Sequence, residues 1–371
     1  MSLKGILNIV GSHPEFRRHL REIDTTGRPA PIAVRQGARP AYLAALWSAQ
    51  QVPVLVLTPR PADARRFHDQ LLTYLGEDAP VHLLPEAEVL PFERLAVDTR
   101  TSNQRLSTLD ALASCVVTDR PEKPGQSPLV ISSVAAALRW TLSPLLMRPL
   151  GSSPGSYDVL KVGQRIPRTE ELLSRWVDLG YRHEPLVESP GTFSQRGGII
   201  DVYPPHYELP LRIELWDDEI DTIRSFDLYT QRSVEAMEVV DIIPAREQLP
   251  NLVDRSDVDR LVSQMDLSSC TREVRERIED DLVYLFSDPD METLHFYNGL
   301  LNHSSILDYF PLSGLMVLDR IGQIEAEALE QEEKYTRMRD SREERGELPR
   351  NFPSPYLAWN EFSRRLSKWE G

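Results

Sequence analysis

Two short stretches of the chain have the outline of phosphate chemistry. Pro31-Ile32-Ala33-Val34-Arg35-Gln36-Gly37-Ala38-Arg39-Pro40-Ala41-Tyr42 runs from a strand-like apolar start through a one-glycine loop into a predicted helix over 41–49. A working phosphate loop needs several glycines, so that backbone N–H groups wrap the phosphates. It also needs a Lys for the β/γ-phosphates and a Ser or Thr for Mg²⁺. Here Gly37 is the one glycine, and the Lys and hydroxyl positions hold Arg39-Pro40 or Pro40-Ala41, depending on register. Pro40 also removes an N–H donor. The second stretch, Leu315-Met316-Val317-Leu318-Asp319-Arg320, keeps an apolar strand and an Asp, but Arg320 stands where a second carboxylate would be. Both motifs therefore lack their reactive groups, and no catalytic residue and no cofactor is expected.

A third stretch suits docking rather than catalysis. On Leu211–Trp216, Leu211, Ile213 and Leu215 share one face of a strand, and Arg212, Glu214 and Trp216 share the other. Trp and Arg are the residues most often found at the energetic centre of protein–protein contacts. Phe193-Ser194-Gln195-Arg196, just before Gly197-Gly198, supplies a second Arg to the same surface. The alternative is that Trp216 caps the core edge or stacks on Arg212. Periodicity leaves both open. The eight histidines show no metal-ligand spacing, and Asp217-Asp218-Glu219 reads as a solvated turn. Cys115 and Cys270 are too few for a disulfide framework or a four-ligand zinc site, so no metal is expected.

The elements that position these residues fall into distinct regions. Pro53-Val54-Leu55-Val56-Leu57-Thr58-Pro59 and Leu129-Val130-Ile131-Ser132-Ser133 are continuous apolar runs, as in a parallel sheet covered on both faces. Helices are predicted from Ala62 to Leu75, closed by Gly76, from Leu106 to Leu112, and from Ala135 to Leu142, stopped at Pro144. Gly151 to Ser156 reads as a linker. A helix from Thr169 to Leu179 then precedes alternating strands at 198–203, 211–216 and 220–226, an antiparallel meander. From Glu247 to Glu347 the pattern is mainly helical, with a buried strand at Leu315–Asp319 and a solvated charged helix from Gln323 to Glu347.

Composition bounds the function. The 371 residues suggest two or three domains. The formal charge of −15 makes a general nucleic-acid coat a poor reading, because phosphate binding needs a basic surface. No run of 18 apolar residues occurs, and Met1 to Gly5 has no secretory h-region, so a cytoplasmic protein without membrane contact is expected.

The segment Thr192–Pro205, continued by Leu211–Asp227 and Gln231-Arg232-Ser233, resembles the UvrB-homology module at the N-terminus of bacterial transcription-repair coupling factors (Mfd). Supporting matches are Leu90-Pro91-Phe92-Glu93, Gln104-Arg105-Leu106-Ser107-Thr108-Leu109, Val162-Gly163-Gln164-Arg165, Gly180-Tyr181-Arg182, Tyr309-Phe310-Pro311 and Leu315-Met316-Val317, over roughly residues 25 to 350. The resemblance implies an α/β fold: a degenerate P-loop, helicase-like parallel-sheet domain in two parts, with a small antiparallel α+β domain inserted, as in UvrB. The expected divisions are 1–154 (domain 1a), 155–246 (domain 2), 247–348 (domain 1b) and 349–371 (a C-terminal linker).

The resemblance also implies a docking platform for the excision-repair protein UvrA, with decayed ATPase motifs at Gly37, Arg39 and Pro40. The residues expected to bind UvrA are Arg182, Phe193, Arg196, Arg212, Glu214 and Trp216. Trp216 departs from the usual Phe, and Ser194 stands where UvrB has Arg. Only Arg94 to Asn103 separate the segments that flank a long DNA-probing hairpin in UvrB, which favours the coupling-factor module over UvrB. The competing reading is a UvrB-type ATP-dependent helicase; a polymerase-contacting role for the charged C-terminal helix is a third. The full coupling factor would further imply RNA polymerase, DNA and a masking, autoinhibitory C-terminal domain as partners. The end at Gly371 suggests a fragment of such a protein.

Overall fold

The computed structural model of the chain describes residues 3–26, 31–87, 89–95, 97–116, 127–149, 156–288, 291 and 293–369. In chain order the strands are β1 (Val54–Thr58), β2 (Val81–Leu84), β3 (Leu129–Ser133), β4 (Asp158–Lys161), β5 (Arg182–His183), β6 (Thr192–Arg196), β7 (Ile199–Val202), β8 (Leu211–Trp216), β9 (Glu219–Phe226), β10 (Ser233–Met237), β11 (Val239–Ile242) and β12 (Leu315–Leu318). β12, β1, β3 and β2 form, in that order, an all-parallel sheet. The continuous apolar run of β1 has its expected cause. Leu55 and Leu57 enter one buried cluster and Val54 and Val56 the cluster on the opposite face.

The inserted unit is a six-stranded sheet in the order β10-β9-β8-β7-β6-β5, antiparallel except where β5 runs parallel to β6. The α/β body with a separate antiparallel unit is the fold class read from the sequence. β4 and β11, the first and last strands of the insert, pair antiparallel, with Ile242 opposite Asp158. The core is continuous across the junction: Leu57 and Val130 of the parallel sheet belong to the same cluster as Ile213 and Ile223 of the insert.

A buried polar clamp lies just beyond this neck. Glu247 accepts Arg105 Nε at 2.5 Å and Nη2 at 3.2 Å, and its Oε2 accepts Thr141 Oγ1 at 2.6 Å. Arg105 also donates to Pro85 O, and Asn302 Nδ2 donates to Glu247 O. Helix Thr99–Val116, the segment after β3 and the return from the insert thus meet at one buried ion pair.

Several expectations need correction. The helix after β3 is the single turn Val134–Ala137; Arg139 and Thr141 instead bridge to Tyr356 and Ser304, which pulls the backbone out of the helix. β12 is half-exposed rather than buried, because it is an edge strand paired only with β1. The stretch 349–371, expected to be a linker, instead contains helix Trp359–Leu366, which buries Trp359, Phe362 and Leu366 in the main core. The predicted linker at Gly151–Ser156 lies outside the described residues except for Ser156, which is buried. The charged helix forms as Ile321–Glu344, with only Ile324 and Ala328 buried.

Candidate interaction face

The outer face of the inserted sheet is built on strand alternation. β8 turns Leu211 and Ile213 into the core, so Arg212, Glu214 and Trp216 face outward. Register then fixes the neighbours: Ser194 lies opposite Asp201, Asp201 opposite Arg212, and Arg212 opposite Arg224. Ile199 lies opposite both Arg196 and Glu214. The turn between β6 and β7 explains the double glycine. Gly197 has a left-handed φ of 60°, and a Cβ on Gly198 would sit 2.9 Å from Leu215 O.

Trp216 is 81% exposed, which settles the alternatives that periodicity left open. It neither caps the core nor stacks on Arg212, whose guanidinium lies 4.4 Å from the Phe226 ring instead. Arg212 is largely committed within the fold. Its Nε and Nη2 bind the two carboxylate oxygens of Asp201 at 2.7 and 2.8 Å, and Nη2 also donates to Gln231 Oε1 at 3.1 Å. Donating to Asp201 also makes the Arg212 guanidinium still harder to deprotonate. Asp201 is only 1% exposed and takes a further bond from Arg196 Nη2 at 3.0 Å. Arg196 keeps 54% of its side chain in solvent. Glu214 accepts Thr222 Oγ1 at 2.7 Å and stands 4.0 Å from Arg224 Nη2.

The structure therefore brings Arg196, Arg212, Glu214 and Trp216 together and leaves two predicted residues out. Phe193 is 3% exposed, a core residue edge-on to Trp176, because strand parity on β6 points it inward beside Val202. Arg182 is exposed on the edge strand β5, opposite Thr192. Between it and the cluster, Thr192 and Ser194 donate hydrogen bonds to the carbonyls of Ser189 and Pro185, so the 184–190 loop lies across that part of the face. Three residues of the face went unread: Asp201, Ile199 and Arg224. Parity on β7 and β9 carries the signal for each of them.

The segment read from the sequence as a degenerate phosphate loop has a different geometry. Pro31 to Arg35 form no strand; Gln36–Ala38 is one 3₁₀ turn leading into helix Arg39–Gln50. Arg39 Nη1 binds Asp319 Oδ1 at 2.7 Å, and Arg320 binds Asp319 Oδ2 at 3.0 Å and Asp63 Oδ2 at 2.7 Å. The buried Asp319 carboxylate is thus flanked by two guanidiniums. Among the described residues no group of three or more His, Cys, Asp or Glu could hold a metal ion, and no helix is long and apolar enough to cross a membrane.

Comparison with known proteins follows this geometry. Residues 159–247, which contain the whole face, match the family model described as the UvrB interaction domain. The chain is 30% identical over 314 residues to the transcription-repair-coupling factor of Bacillus subtilis (strain 168), covering 80% of this chain and 25% of that protein. It is 34% identical over 244 residues to that of Myxococcus xanthus, 64% of this chain and 19% of that protein. It is 31% identical over 242 residues to that of Mycobacterium bovis (strain ATCC BAA-935 / AF2122/97), 64% and 18%. The chain spans about a quarter or less of the length of these relatives. The resemblance to an N-terminal coupling-factor module is borne out.

Proposed function

We propose that this chain, similar over most of its length to transcription-repair-coupling factors, is a docking module for UvrA in transcription-coupled excision repair and has no ATPase activity of its own. The observation that carries the docking reading is Trp216, which is 81% exposed on the same sheet face as the half-exposed Arg196 and Arg224. An exposed aromatic sharing a face with half-exposed guanidiniums supplies an apolar anchor and orienting charge, the composition of an interface hot spot. Arg196 meets a partner carboxylate, and Trp216 fills an apolar pocket. Titration calorimetry of the full chain with purified UvrA is expected to show a saturable one-site isotherm; its absence overturns the reading.

The ion pairs around Asp319 support the second half of the proposal. A carboxylate engaged by Arg39 and Arg320 is neutralised before any Mg²⁺ arrives, and Gly37 alone cannot form the N–H cradle that phosphates need. Labelled ATP with Mg²⁺ is expected to give no saturable binding at micromolar concentrations. Micromolar binding would favour the UvrB-type helicase instead. Contacts with RNA polymerase and DNA, and masking of the face by a C-terminal domain, belong to the longer proteins and are proposed for them alone.

A further inference from the structure

We propose that Asp201 is a positioning residue for this face, holding the two arginines in the arrangement that a partner meets; the inference rests on the docking reading. Asp201 lies on β7, between the strands that carry Arg196 and Arg212. Its buried carboxylate takes three N–H bonds, two from Arg212 and one from Arg196. A buried carboxylate among arginines rarely improves on apolar packing as a source of stability, so its use here lies in fixing orientation.

The two arginines play different parts. Arg212 is spent: Asp201 and Gln231 take its donors, and its plane lies on Phe226. It acts as a fixed cationic wall. Arg196 is tethered by one Nη2 bond, its single hydrogen bond among the described residues, and its Nε and Nη1 are left for a partner carboxylate. A guanidinium held at one corner loses less conformational freedom when the partner arrives than one swinging on a free stem. An amide at position 201 presents an NH₂ to one of the guanidiniums and releases that tether.

The test uses the full chain and purified UvrA. Asp201→Asn is expected to weaken binding about tenfold, mainly through faster dissociation. In an Arg196→Ala background the same change is expected to cost about threefold, because only Arg212 is then left for it to position. A merely structural role would cost the same in both backgrounds. Should Asp201→Asn fail to fold, Arg212→Lys replaces it: the ammonium keeps the charge but cannot grip both carboxylate oxygens, and the same pattern is expected. Affinity within twofold of the parent, or equal losses in both backgrounds, overturns the inference and leaves the docking reading standing. Failure of the parent chain to bind UvrA removes both.

Discussion

Replacing Trp216 by alanine is expected to weaken UvrA binding by roughly thirtyfold, the equivalent of about 2 kcal/mol for loss of a central aromatic anchor. Folding is expected to be nearly untouched. The indole is 81% exposed and has no ring partner among the described residues, so its removal opens no cavity. Exposed substitutions of this kind usually change stability by no more than about 0.5 kcal/mol. Affinity from calorimetry and stability from urea unfolding must therefore separate. Trp216→Phe, which keeps an apolar ring, is expected to retain most of the affinity. A Trp216→Ala chain that binds UvrA within twofold of the parent would show that the anchor lies elsewhere.

Arg105→Ala is expected to cost about 3 kcal/mol of stability, the low end for stripping the partner from a buried charge. This is at least a fifth of the roughly 5–15 kcal/mol that holds a typical domain together. Burial alone would raise the Glu247 carboxyl, but the Arg105 guanidinium, helped by Arg139 and Thr141, holds it below its ordinary value. A depressed folded-state value means that the contribution is fully present above the ordinary carboxyl value of about 4.5 and is lost as pH falls through the folded value. Without Arg105 the sign reverses: burial dominates, and protonating Glu247 relieves the variant. The gap between parent and variant in urea unfolding is thus expected to be widest near neutral pH and to shrink as pH falls through the variant's raised value and then the parent's lowered one. A gap under about 1 kcal/mol at neutral pH, or one that widens in acid, contradicts this account of the clamp.

Where a residue's position was legible, its neighbours in sequence determined it. β8 alternates without interruption over six residues, and its faces follow directly from parity. β1 is apolar throughout because both of its faces are covered. β5 gave no signal, being two exposed polar residues that exist as a strand only by pairing with β6. Phe193 was misplaced because the glycine turn at 197–198 interrupts the pattern, so parity could not be carried from β7 back to β6. The Trp359, Phe362 and Leu366 stripe of the last helix was present in the sequence but lies among charged residues that masked it. Parity places Asp201 on the outer face, but its burial is the clearest illegible feature. A lone Asp between Ile200 and Val202 reads as a solvent-facing residue, and only strands converging from both sides bury it.

The hydrogen-bonded pairing of β4 with β11 sets the first and last strands of the insert side by side. The polypeptide leaves the α/β body and comes back through a single doorway. A unit hung this way behaves like a cartridge in a socket: its loops and exposed strands can drift, lengthen or change allegiance over evolutionary time while the socket stays as it was. That arrangement lets one mount carry whatever the cartridge has come to hold.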